Sequence, residues 1–391
     1  MNPFLLQTAQ YISNEYKGKF QNLCIVLPNK RGALFLKKHL RQIEGGAIWV
    51  PKVISIEELV EGLSELVCPD SITLTIELYN CWISIEKNKE ETFQNFIKWS
   101  NTVLQDFNEL DRHLVNADDL FLNLSDIRHI ENWSLSEEPL TDFQKRYLNF
   151  MDNLGELYKR FREKLLKAGM GWQGLAYRMA VNNLNRNNFL DRYEKIVFCG
   201  FNALNRSEKE IFSKLVEKGK AEILWDIDEY YFNDASQEAG DFLRSNFKKE
   251  ALRSDKFIGN ELLTEKKEIE ITGTPRSMGQ VIAAGDQVKK WIDAGLNKEN
   301  MAIVLADESL LFPMLSAMPD VVSVLNITLE YPLHLTAVYD FYEQLLHLQV
   351  QAETKNRSSL SFYFKDLYKL FYNPCFRLLF EGGGESYLQE I

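Results

Sequence analysis

An apolar run over residues 23–27 breaks at Pro28-Asn29-Lys30-Arg31-Gly32 and gives way to a helical pattern. Backbone amides and two cations therefore meet at a helix start, where the helix dipole also favours negative charge. A nucleic-acid phosphate is the natural occupant, and Asn29, Lys30 and Arg31 are the candidate DNA-binding residues. A solvent-exposed turn without a ligand is the alternative. The same turn opens an unusual window. Lys17, Lys19, Lys30, Arg31, Lys37, Lys38 and Arg41 fall in a stretch, 17–41, that contains no acid at all. Such a cluster is either an electrostatic footprint for phosphate or an ordinary solvated helix face.

Carboxylates are the next groups able to do chemistry. Asp106, Glu109 and Asp111 cluster near the end of a helical segment, and Asp226, Asp228 and Glu229 follow a strand. Either set has the residue types for a metal site or for acid and base work, with solvated surface as the simpler reading. Pro319-Asp320 followed by Glu353-Thr354-Lys355 fits the literal pattern of a PD-(D/E)XK nuclease. Metal-dependent cleavage needs those acids to converge on a sheet, however, and Glu353 falls in a polar stretch after a helix, so chance is the reading adopted. The turn at Cys68-Pro69-Asp70 has no suitable partner. His39, His113, His129, His334 and His347 show no HxxxH or HExxH spacing, and no serine sits in a GxSxG elbow. Hydrolase and zinc readings have no support.

Phosphate-cradling loops are missing as well. GxxxxGK[ST] occurs nowhere in the chain, and no GxGxxG follows a strand. No cofactor is expected. The five cysteines, Cys24, Cys68, Cys81, Cys199 and Cys375, are scattered and odd in number, which predicts reduced, mostly buried thiols rather than disulfides or a metal clip. With 45 basic against 56 acidic residues the net charge is −11, so whole-molecule attraction to nucleic acid is excluded and any DNA contact must be local. No basic leader or long apolar run is visible, and a cytoplasmic location without membrane contact is expected.

The elements that must position these residues follow from periodicity. Residues 4–16 read as a helix, 23–27 as a buried strand, 32–40 as a helix with Leu34, Phe35 and Leu40 inward, and 48–50 as a short strand before Pro51. Ser55 is placed to cap the helix that begins Ile56-Glu57-Glu58. From 57 to 190 the strand signal disappears. One stripe runs Phe93, Phe96, Val103, Phe107 and Leu110, another Phe143, Tyr147, Phe150, Leu154, Leu157, Phe161 and Leu165, which predicts a helical insertion with an aromatic core. The α/β pattern returns with strands at 196–199 and 222–225 around a helix at 207–218. A polar stretch over 233–267 reads as loop and boundary. Beyond it come strands at 269–272, 301–305 and 324–328 and helices at 280–291, 338–348 and 362–371.

Taken in order, these segments resemble a known family. CIVLPNKRGALFLKKHL is similar to the strand, proline-asparagine-lysine turn and helix with which superfamily-one helicases grip single-stranded DNA. VISIEELVEGL resembles the next segment, with Glu57-Glu58 in place of a histidine-serine pair. IVFCGFNALNRSEKEIF resembles the Asp-Glu-Phe-Gln-Asp motif, but Cys199 and Gly200 stand at the acidic positions and only Phe201 matches. The resemblance therefore implies a motor without ligands for magnesium-ATP. QVIAAGDQVKKWIDAGLNKENMAIVLADES and the following VLNITLEYPLHLTAVYDFYEQLLHL look like the start of a second motor domain, in which Ala306-Asp307-Glu308 replaces an expected arginine. The whole order is most similar to AddB-like helicase-nuclease subunits, longer chains with a degenerate motor and a PD-(D/E)XK nuclease near the C-terminus.

The fold expected is α/β, with P-loop NTPase (RecA-like) helicase-type parallel sheets. Residues 1–56 and 191–260 form one motor-like domain around a helical insertion at 57–190, and 261–391 begin a second. The resemblance implies a non-catalytic helicase-like portion that binds DNA, single-stranded or duplex, or a helicase-nuclease partner subunit, in double-strand break repair and recombination. Two other readings stay open: a protein-interaction scaffold without DNA binding, and an ATPase using unorthodox ligands such as Asp226 and Asp228.

Overall fold

The computed structural model describes residues 3–45, 49–85, 91–131, 142–254, 256–355 and 362–380. They divide into two compact units, Met1–Lys267 and Glu268–Ile391.

The first unit is built on a four-stranded parallel sheet in the order β2-β1-β3-β4. Its strands are β1 (Leu23–Leu27), β2 (Lys52–Ser55), β3 (Lys195–Cys199) and β4 (Ala221–Leu224). Successive side chains on a strand point to opposite faces, so a strand covered on both sides must be apolar throughout. β1 and β3 meet that demand with Leu-Cys-Ile-Val-Leu and Ile-Val-Phe-Cys, all buried. Ile25, Leu27, Val53, Val197 and Leu224 pack on one face under helices α1 (Phe4–Glu15) and α2 (Lys30–Glu44). Cys24, Val26, Ile54, Phe198 and Ile223 pack on the other under α3 (Ile56–Ser64), α8 (Gln173–Asn183) and α9 (Arg206–Glu217).

Between β2 and β3 the chain is helical. In addition to α3 and α8 it forms α4 (Ser71–Ser84), α5 (Phe93–Arg112), α6 (Ala117–Glu131) and α7 (Asp142–Lys167). Phe96, Val103 and Phe107 of α5 meet Leu157, Phe161 and Leu165 of α7 and Trp172 in a second core. Phe161 and Trp172 stack at 5.0 Å between ring centroids. After β4 come β5 (Ile227–Asp228), α10 (Glu229–Asn233), α11 (Asp241–Phe247), β6 (Ile258–Gly259) and α12 (Glu261–Thr264).

Four expectations need correction, the first being the loop at 233–267, which instead holds α11, β6 and α12. Leu34 and Phe35 do not point inward: they are 70% and 47% exposed, and Leu36 with Leu40 fills the core instead. The helix starts at Lys30, and in that register the 36/40 pair faces the sheet. The strand near Val50 forms after Pro51 rather than before it, as β2, with Cys24 paired to Lys52; residue 48 lies outside the described residues. The strands expected at 269–272, 301–305 and 324–328 are not formed, because no neighbouring segment offers them a ladder. Among its described residues the second unit is helical, with α13 (Arg276–Asp293), α14 (Leu311–Ser316), α15 (Ala337–Lys355), α16 (Phe364–Tyr372) and α17 (Pro374–Phe380) joined by extended chain. No helix among the described residues is long and apolar enough to cross a membrane.

Candidate nucleic-acid interface

β1 delivers its last residue to the carboxyl edge of the sheet, and Pro28 ends the ladder there because it has no N–H to donate. Asn29 then adopts an extended backbone, φ −147° and ψ 161°, and its Oδ1 accepts a hydrogen bond from the Gly32 amide at 3.0 Å. Asn29 is thus the cap of α2, and its side-chain NH2 is the part that the cap does not use. Lys30 and Arg31 are the first two helical residues. Lys30 Nζ lies 3.6 Å from Glu58 Oε1, with the lysine largely in solvent and the glutamate half-buried. Such a pair, open to solvent on the lysine side, is worth under about 1 kcal/mol and holds Lys30 only weakly.

The positive charge continues along the helix. At 100° per residue Lys30, Leu34, Lys37 and Arg41 fall within an arc of about 60°. Lys38 flanks them, and the first turn of α2 contains no acid. The structure therefore places the three sequence candidates at one end of a basic stripe that runs the length of α2. Leu34 lies in the middle of that stripe.

The carboxyl edge itself is different in character. The chain moves from β1 outward to β2 and restarts on the other side with β3, so the β1/β3 gap is the switch point where open parallel sheets bind ligands. A cleft of about 250 Å³ lies there, lined among others by Pro28, Glu57, Arg112, Tyr177, Phe201 and Glu208. Two helices begin beside it, and both are closed by their own glutamates. Ser55 and Glu58 form a capping box on α3, with bonds of 3.0 and 3.3 Å. Asn205 and Glu208 form another on α9, with bonds of 2.9 Å. A carboxylate thus holds the place from which each helix would grip a phosphate, and it repels one. Burial pushes the Glu208 carboxyl above the usual glutamate range. Arg112, the cation of the cleft, spans Gln173 at 2.6 Å and the Tyr177 ring at 5.5 Å. Cys199 is fully buried, its thiol pushed well up by burial, and Gly200 takes φ +70°.

No protein-family model matches the chain, and no curated protein matches it.

The remaining acidic candidates are dispersed into structural work. Asp111 is fully buried and accepts from Tyr158 Oη at 2.7 Å and from Arg178 Nε, while Glu109 pairs with Arg112 and His113. Burial raises the Asp111 carboxyl, opposed by those same partners. The two oxygens of Asp228 accept from the Tyr230 and Leu262 amides, each at 2.9 Å, so that side chain caps α10. Asp226 is raised by burial and by Glu261 and Asp228. Pro319 and Asp320 sit in a turn, Glu353–Lys355 end α15, and the latter side chains lie outside the described residues. Among the described residues no group of three His, Cys, Asp or Glu is disposed to hold a metal ion.

Sequence reasoning missed the residues at the far end of the basic stripe, Trp49 and Lys52, which line a cleft with Lys37. Trp49 falls within the segment that reads as a strand at 48–50, and Lys52 lies just beyond it after Pro51.

Proposed function

We propose that this chain is a non-catalytic, motor-like scaffold that binds nucleic acid through the N-terminal turn and outer face of α2. The observation that carries the reading is charge: a chain of net −11 keeps one helix face with Lys30, Lys37, Lys38 and Arg41 and no acid in its first turn. The finer fold reading belongs to the proposal too. A P-loop (RecA-like) helicase-type domain interrupted by a helical insertion is supported by a parallel sheet whose strands come from two separated stretches of chain, 23–55 and 195–224. The resemblance to AddB-type helicase-nuclease subunits, with the implied role beside a partner subunit in double-strand break repair, rests on the order of the sequence segments alone. The glutamate-closed helix starts at the switch point support a motor fold without its nucleotide chemistry.

The test is fluorescence anisotropy of labelled single-stranded and duplex DNA across a salt series. The unaltered chain binds at low salt, binding weakens as salt rises, and Lys30→Ala/Arg31→Ala weakens it several-fold. Absence of binding at every salt concentration refutes the nucleic-acid reading and leaves a protein-interaction scaffold, the reading that the overall acidic charge favours.

A further inference from the structure

The chain leading into β2 leaves an indole in the open. Trp49 is 76% exposed, whereas Trp82, Trp172 and Trp225 are buried. It borders a cleft of about 470 Å³ lined by Gln21, Lys37, Trp49, Val50, Pro51 and Lys52 together with Val53. No acid belongs to that lining. Lys37 is shared between the cleft and the basic stripe of α2, two turns along the helix from Lys30. Lys52 is the exposed first residue of the edge strand β2. The cleft is thus a continuation of the stripe, with an aromatic face that the stripe itself lacks.

That combination has a specific chemistry. A large ring in solvent between cations suits a flat, π-faced group carried on a polyanion, and every unpaired nucleobase is such a group. In a duplex the faces of the bases are already stacked on one another, so the cleft selects a single strand. We propose that Trp49 is a base-stacking station for single-stranded nucleic acid, with Lys37 and Lys52 neutralising the phosphates on either side of the stacked base. The inference rests on the reading that α2 binds nucleic acid, and it adds the strandedness of the ligand.

The experiment uses the full chain and three labelled probes: oligothymidylate, an abasic strand of the same length, and a duplex. Trp49→Ala weakens oligothymidylate binding by about five- to a hundred-fold, the range that loss of one stacked base produces, and Trp49→Phe recovers most of it. The salt slope is unchanged by Trp49→Ala, because a stacked base displaces no counterion. Lys37→Ala/Lys52→Ala makes that slope shallower by about 1.4, or 0.7 for each phosphate contact. Binding of the abasic strand and of the duplex is insensitive to Trp49→Ala. If Trp49→Ala binds oligothymidylate as the parent does while Lys30→Ala/Arg31→Ala is weakened, the stacking proposal is overturned and the α2 reading stands. Equal losses on the thymidylate and abasic strands also overturn it, since no base is then being read. No binding by the parent overturns both, and the cleft is then a surface for a protein partner. The side chain is exposed, so each variant should match the parent's thermal unfolding, which separates loss of binding from loss of fold.

Discussion

Asp111 and Arg178 show how one residue pair redirects a functional reading. By spacing alone Asp111 belongs with Asp106 and Glu109 as a metal candidate, yet its carboxylate is fully buried and committed to Tyr158 and Arg178. Arg178 in turn donates to the carbonyls of Leu110 at 3.1 Å and Val115 at 2.7 Å, pinning the end of α5 to α8. The mostly buried guanidinium is held by that carboxylate and those two carbonyls. Removing the acid leaves a buried, uncompensated charge, so Asp111→Ala should destabilise the fold by about 3–5 kcal/mol. Asp111→Asn, which keeps an acceptor for both partners, should cost clearly less. Urea unfolding of the three proteins measures this, and an alanine variant as stable as the parent would show that the network carries no structural load. Nothing in the sequence distinguishes this aspartate from its exposed neighbours, since its partners lie 47 and 67 residues away.

At the scale of elements, what the sequence discloses depends on whether an element is defined by itself or by a neighbour. β1 and β3 are legible because five and four apolar residues in a row mark strands buried on both faces. The cap of α3 is legible because Ser55 and Glu58 act within one turn. The basic turn at Asn29-Lys30-Arg31 is legible for the same reason, whereas Trp49 and Lys52 join its stripe only through the fold. β2 lies a few residues beyond the strand that the sequence suggests, because the apolar run before Pro51 looks at least as strand-like as Val53-Ile54 after it and only pairing with β1 decides. The segments 269–272, 301–305 and 324–328 have strand-like composition but no ladder, and a strand without a partner is only extended chain. Helix packing gives the sharpest test at this scale. A Cβ placed on Gly174 would come within 2.1 Å of the Asn108 carbonyl oxygen, so glycine is what lets α8 lie against α5. The Gly174 amide also donates to Asn108 Oδ1 at 2.6 Å. Gly174→Ala should push the two helices apart and cost about 1–3 kcal/mol or more, read as a lower urea midpoint; an unchanged midpoint would mean that the helices can separate freely.

For the molecule as a whole the question is how an acidic chain can hold a polyanion. Charges separated by more than about 8–10 Å are largely screened at physiological salt, so the net −11 matters less there than the sign of the nearest side chains. Leaving aside Lys38 on the flank, the turn, stripe and cleft offer five cations, Lys30, Arg31, Lys37, Arg41 and Lys52, and at about 0.7 counterions released for each the affinity for a single strand should fall with a log–log salt slope near −3.5. All five belong to Met1–Lys267, as do the three apolar cores found among the described residues. The second unit differs: Ile271, Val304 and Val324 are 92%, 91% and 84% exposed, on chain that no ladder covers. Apolar surface of that kind binds environment-sensitive dyes and promotes self-association. A chain ended at Lys267 should therefore unfold cooperatively, keep the affinity and the slope of the full chain for a single strand, and lose most of its dye fluorescence. A clearly steeper slope in the full chain than in the shortened one would place further cations of 268–391 on the nucleic acid. Loss of binding on shortening, with cooperative unfolding retained, would move the interface away from α2 altogether.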